Sequence, residues 1–164
     1  MGYWVFRNSF TKPSSPTESD VVLYYFHGGA YSLYQPGHFL PFLLRVAEEL
    51  TQHGLAVSIF ALDYALAPEA PFPAQLEQAA HGYRYLVGEL GIRTDRLALL
   101  GDSAGANLGL SLASAGFARP AAGLGWIPGC GVCRCVASER PRFAPAESPS
   151  SASRSARMPS SPTR

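Results

Sequence analysis

The stretch LLGDSAGANLG at positions 99–109 places one serine, Ser103, between two glycines, Gly101 and Gly105. A G-x-S-x-G turn that follows a strand and opens a helix lifts the serine hydroxyl clear of the sheet, where it can attack a carbonyl carbon. That chemistry is acyl transfer, and it builds negative charge on the carbonyl oxygen. Backbone N–H groups aimed at that oxygen stabilise the charge. A second stretch, HGGA at 27–30, has the glycines that let a chain approach so closely, and the N–H of the residue after the serine, Ala104, completes such a set. A serine hydroxyl is a weak nucleophile at neutral pH and needs a base. The four histidines, His27, His38, His53 and His81, all precede Ser103, and the only acidic residues after it are Glu139 and Glu147.

The elements that must hold these residues are legible from hydrophobic pattern. VVLYYFH at 21–27 is a short apolar, β-branched and aromatic run closed by Gly28-Gly29, the profile of a strand buried on both faces. After Pro36-Gly37, the residues Phe39, Phe42, Leu43, Val46 and Leu50 recur at helical spacing, with Pro41 admissible in the first turn and Gly54 as the stop. LAVSIFAL at 55–62 reads as a second strand. A Pro/Ala loop at 67–73 then leads to a helix carrying Leu76, Ala79, Ala80, Tyr83, Leu86, Val87 and Leu90 on one stripe, stopped at Gly91. RLALLG at 96–101 is a third strand, and Leu108, Leu112 and Ala115 mark a buried helix opening at Ala104. AAGLGWI at 121–127 reads as a fourth strand, weakened by its two glycines. Alternating strands and helices predict an α/β fold with a parallel central sheet flanked by helices. On this reading His27 ends a strand, His38 and His53 flank an outer helix, and His81 sits mid-helix on the surface. None of them has a predicted place above Ser103.

HGGA at 27–30, DYALAPEAPFPA at 63–74 and GDSAGAN at 101–107, in that order, resemble the hormone-sensitive-lipase-like branch of the α/β-hydrolases, over roughly 21–116. The resemblance implies a carboxylesterase or lipase acting on small acyl esters. It matches Ser103 to the nucleophile and Gly28, Gly29 and Ala104 to the oxyanion donors, assigns His27 to bracing its loop, and gives 63–74 a role in shaping the scaffold. Ala30 stands where the family has a third glycine and Ala65 where it has arginine. The family orders its triad Ser, then Asp or Glu, then His, and this chain has no histidine after Ser103. The expectation is therefore a partial α/β-hydrolase fold with its C-terminal part missing, inactive as it stands. The rival readings are a non-catalytic hydrolase homologue that binds a small ligand, and a truncated fragment without function.

Composition frames these expectations. The chain has 164 residues, a net charge of +1 and 47% hydrophobic residues, which argues for a buried sheet and against a nucleic-acid partner. Charge divides unevenly: 1–128 carry 7 Lys and Arg against 10 Asp and Glu, whereas 129–164 carry 6 Arg against 2 Glu together with 8 Ser and 5 Pro. The expected organisation is a lead-in at 1–20, a partial hydrolase domain at 21–128 and a disordered tail at 129–164. Cys130, Cys133 and Cys135 lack a fourth ligand for zinc, so neither metal nor cofactor is expected. No signal peptide and no transmembrane run is visible, which points to a cytoplasmic protein. The sequence leaves the oligomeric state open.

Overall fold

The structure is a computed structural model, and it describes residues 1–6 and 15–117. The strand expected at 121–127 and the tail expected at 129–164 lie outside the described residues. Four strands, β1 (Gly2–Phe6), β2 (Val21–Phe26), β3 (Val57–Leu62) and β4 (Leu97–Gly101), form one sheet in the order β1-β3-β2-β4. The helices are α1 (Leu40–Gln52), α2 (Ala74–Arg84), continued by a π turn at Tyr85–Glu89, and α3 (Ala104–Ser114).

The three strands read from the sequence pair in parallel. Val22 to Phe26 of β2 lie opposite Leu97 to Gly101 of β4, and Val21 to Phe26 lie opposite Val57 to Leu62 of β3. The sheet as a whole is mixed, because β1 runs antiparallel to β3 with Gly2 opposite Leu62 and Phe6 opposite Ser58. The lead-in expected at 1–20 thus contributes an edge strand. Its GYWVF sequence is rich in aromatic and β-branched residues, and the Trp4 ring packs 5.1 Å from Phe60. Antiparallel pairing at the edge requires no crossover helix, so the helical rhythm that flagged the other strands is absent here.

Both faces of the sheet bury apolar residues, which explains the unbroken apolar runs. Val22, Tyr24 and Phe26 of β2 join Phe60, Leu62, Leu97 and Leu99 in a core under α2 and α3. Leu23 and Tyr25 face the other way, with Ile59, Ala61 and Leu100 against Leu43 and Ala47 of α1. Pro41 occupies the first turn of α1, where its missing N–H costs nothing, and Gly54 ends that helix at φ 80°. Arg45 on the solvent side of α1 pairs with Glu48 and Glu49 at 3.3 and 3.0 Å.

The chain leaves β2 through α1 to β3 on one side, then returns through α2 to β4 on the other side of β2. This reversal opens a crevice at the carboxyl ends of β2 and β4, the usual ligand position in an open α/β sheet. Phe26 and Gly101 are directly paired there. The segments that follow them, one beginning at His27 and the other at Asp102, therefore emerge side by side.

Candidate active site

Ser103 sits at the turn between β4 and α3, exposed, with φ 49° and ψ −118°. A non-glycine residue rarely takes this conformation, and it costs on the order of 1–3 kcal/mol. Close packing on either side forces the turn. A Cβ on Gly101 would lie 2.6 Å from the carbonyl carbon of Gly105, and one on Gly105 would fall on the carbonyl oxygen of Phe26. The two glycines let α3 start directly against the end of β2. Ala104 is the first residue of α3, so its N–H belongs to the helical turn that has no intrahelical acceptor.

The glycine-rich loop beside the turn is also bent into unusual backbone conformations: Gly29 has φ 122°, Ala30 φ 53° and Tyr31 φ 61°. Among the described residues, no acceptor takes the N–H of Gly29, Ala30 or Ala104. Gly28 differs from the expectation. Its N–H donates to Asp102 Oδ1 at 2.9 Å, so it is not free to meet a substrate oxygen. The same Oδ1 accepts the Tyr25 hydroxyl at 2.7 Å. Burial, together with the Asp102 carboxylate that accepts its proton, holds the Tyr25 hydroxyl well above the ordinary tyrosine range.

His27 is fully buried. Its ring stacks on Tyr64 at 4.2 Å and 2° and lies 6.1 Å from Phe39. Nδ1 is 2.7 Å from the Gly28 carbonyl oxygen; since that oxygen only accepts, Nδ1 carries the proton and donates. Nε2 is buried with no partner among the described residues. Burial pushes the imidazole below its ordinary value, so it stays neutral. The Tyr64 hydroxyl donates to the His27 carbonyl oxygen at 2.5 Å. His38 is exposed beside the start of α1, His53 is exposed at its C-terminal end, and His81 is exposed on α2. None of the four hydrogen-bonds Ser103 in the structure.

The 63–74 segment builds the neighbouring wall. Ala65 N–H donates to Gln78 Oε1 at 2.7 Å, while Gln75 Nε2 donates to the carbonyl oxygens of Ala65 and Ala70 at 2.9 and 2.7 Å. The Tyr31 hydroxyl donates to Asn107 Oδ1 at 2.8 Å and ties the loop to α3. Between them opens a largely apolar cavity of about 320 Å³, walled by Ala30, Tyr31, Phe72, Asn107 and Leu108 among others. No cluster of metal-ligating side chains occurs among the described residues. Nor, among them, is any helix long and apolar enough to cross a membrane.

Asp102, Tyr25, Tyr64 and the Tyr31–Asn107 pair were not picked out as functional from the sequence. Asp102 is the variable second position of the G-x-S-x-G string, and only the register of β2 against β4 brings it to Gly28.

The strand-to-helix serine turn, the glycine-rich loop beside it and the parallel strands β3, β2 and β4 beneath are the arrangement of an α/β-hydrolase fold. The chain belongs to the α/β-hydrolase fold family, whose sequence model matches residues 23–155. It is 38% identical to the hormone-sensitive lipase of Mus musculus over 100 residues, covering 59% of this chain and 12% of that protein. It is likewise 38% identical to an acetyl-hydrolase of Streptomyces hygroscopicus over 105 residues, covering 62% of this chain and 33% of that protein. Among solved structures, an esterase from the bacterial hormone-sensitive lipase family superposes with a TM-score of 0.54 at 32% identity, covering 70% of this chain and 34% of that one. An esterase/lipase from an uncultured bacterium superposes with a TM-score of 0.57 at 27% identity and the same two coverages, 70% and 34%. The chain thus spans from about an eighth to a third of the length of these relatives.

Proposed function

We propose that this chain carries the nucleophile and oxyanion half of a serine carboxylic-ester hydrolase. Ser103 Oγ attacks the ester carbonyl carbon, the C–O bond forms, and the π electrons of the carbonyl move onto its oxygen. The N–H groups of Gly29 and Ala104, with that of Ala30 between them in the bent loop, hold the oxyanion. Gly28 serves to fix the loop. The Ser103 proton passes to solvent. Collapse of the intermediate breaks the ester C–O bond and expels the alcohol, which takes a proton from solvent. A water molecule later adds to the acyl carbon, releasing the carboxylic acid and restoring the Ser103 hydroxyl. The hydrocarbon part of the ester lies in the apolar cavity beside Tyr31 and Phe72. The observation that carries this reading is the backbone of Ser103: a strained, exposed serine has no packing reason to be there, and its flanking glycines are required by contact rather than by chance.

The histidine that should take the Ser103 proton is not in the 164-residue chain after Ser103, and His27 is engaged as a brace. Hydrolases stripped of a triad member retain a residual rate of about 10³ to 10⁴ over water, which sets the ceiling for this chain. An irreversible probe suits so slow a nucleophile. An alkyl fluorophosphonate at pH 9 is expected to leave one phosphonyl group on Ser103, located by peptide mass spectrometry, and none on Ser103→Ala. Modification spread over several residues, unchanged in Ser103→Ala, would reject the assignment.

A further inference from the structure

Asp102 lies between the two loops that carry the proposed oxyanion donors, and its Oδ1 and its carbonyl oxygen together bind β2, the glycine-rich loop and α3. Oδ1 accepts the Tyr25 hydroxyl from β2 at 2.7 Å and the Gly28 N–H from the glycine-rich loop at 2.9 Å. Oδ2 occupies the place where a side chain on Gly28 would begin, so the carboxylate can lie there only because residue 28 is glycine. The Asp102 carbonyl oxygen accepts the N–H of Gly105 in the first turn of α3 at 2.8 Å. Tyr25 is fully buried in the sheet and gives the carboxylate a rigid anchor.

We infer that Asp102 is a positioning residue, fastening the 27–30 loop to the serine turn and so fixing the spacing between the N–H groups of Gly29 and Ala104. A carboxylate would ordinarily be out of place next to a developing oxyanion, because like charges repel. Its two strong donors bind that charge, and hydrogen bonds to an ionised acceptor are roughly twice as strong as neutral ones. The gain is geometric. Oxyanion donors act only when held at the position the oxygen will reach, and loss of one such donor lowers the rate by about 10² to 10³. Without Asp102, Gly28 and Tyr25 lose their shared acceptor and the loop is free to drift from Ala104.

This inference rests on Ser103 being the nucleophile, and the test separates the two. The full chain reacts at pH 9 with an alkyl fluorophosphonate. The Ser103 Oγ–P bond forms, the P–F bond breaks, fluoride leaves, and the hydroxyl proton passes to solvent hydroxide. The probe's P=O oxygen takes the oxyanion position. Rates measured over a range of probe concentrations split binding from reaction. Asp102→Ala is expected to lower the reaction rate constant about tenfold or more with the probe's affinity unchanged. Asp102→Asn, which keeps an acceptor oxygen at the same place, is expected to restore it to within about threefold. A merely structural role would lower the melting temperature and leave the reaction constant intact. Asp102→Ala reacting at the wild-type rate overturns this inference alone; wild-type chain unlabelled at Ser103 overturns it together with the nucleophile assignment. Should Asp102→Ala lose its cooperative melt, Tyr25→Phe carries the test, with at least a threefold lower reaction constant expected and an unchanged one contradicting the inference.

Discussion

At Ser103 the backbone stores energy that its side chain does not recover within the described structure. Substituting glycine removes the steric penalty at φ 49°, whereas substituting alanine keeps it. Ser103→Gly is therefore expected to be more stable than Ser103→Ala by about 1 kcal/mol in urea melts, the relief of strain less the added entropy of a glycine. Equal stabilities would mean that the turn is not strained. His27 makes a second prediction at this scale. Burial lowers its folded-state pKa beneath the ordinary 6.5, so on acidification the unfolded chain takes the proton first. Its contribution to stability is complete above pH 6.5 and is lost as pH falls from there toward the folded-state value, with a slope of at most about 1.4 kcal/mol per pH unit. Replacing it by phenylalanine, which can still stack on Tyr64, should shrink the drop in melting temperature between pH 7.5 and 5.5. An unchanged drop would place the acid sensitivity elsewhere.

Helix α3 owes its position to two glycines with different surroundings. Gly105 touches the β2 backbone, and a Cβ there would fall on Phe26 O; Gly109 faces the Phe26 ring, and a Cβ there would lie 3.5 Å away in ordinary contact. Gly105→Ala is expected to destabilise the protein by about 3 kcal/mol. Gly109→Ala, one turn further on, should stabilise it by about 0.5–1 kcal/mol through helix propensity. Two losses of similar size would contradict this account of how the helix meets the sheet. The elements with parallel pairing were legible because each strand is buried on both faces and each is followed by an amphipathic or apolar helix. The edge strand β1 was not, since its five residues offer neither a helix nor a long run. The same division holds within the site. Ser103, the glycine loop and His27 announce themselves by local strings, but Tyr25 and Asp102 are 77 positions apart and meet only through strand register.

The chain as a whole belongs to the α/β-hydrolase fold family. The described residues bring together a strained serine, three N–H groups without acceptors and an apolar cavity, on a sheet whose reversal point opens beside them. They bring no imidazole to the serine: one histidine is buried and stacked, and three are exposed on or beside α1 and α2. We propose that Ser103 is a nucleophile held by an oxyanion pocket, with no imidazole among the described residues placed to act as its base. Steady-state hydrolysis of 4-nitrophenyl acetate by the 164-residue chain, measured beside Ser103→Ala and His27→Ala, tests it most directly. A small Ser103-dependent rate is expected, well below about 1 s⁻¹, and it is expected to persist in a His27→Ala protein that remains folded. Ser103-dependent turnover at roughly 1 s⁻¹ or more, removed by His27→Ala in a protein that remains folded, would contradict it and make His27 the base.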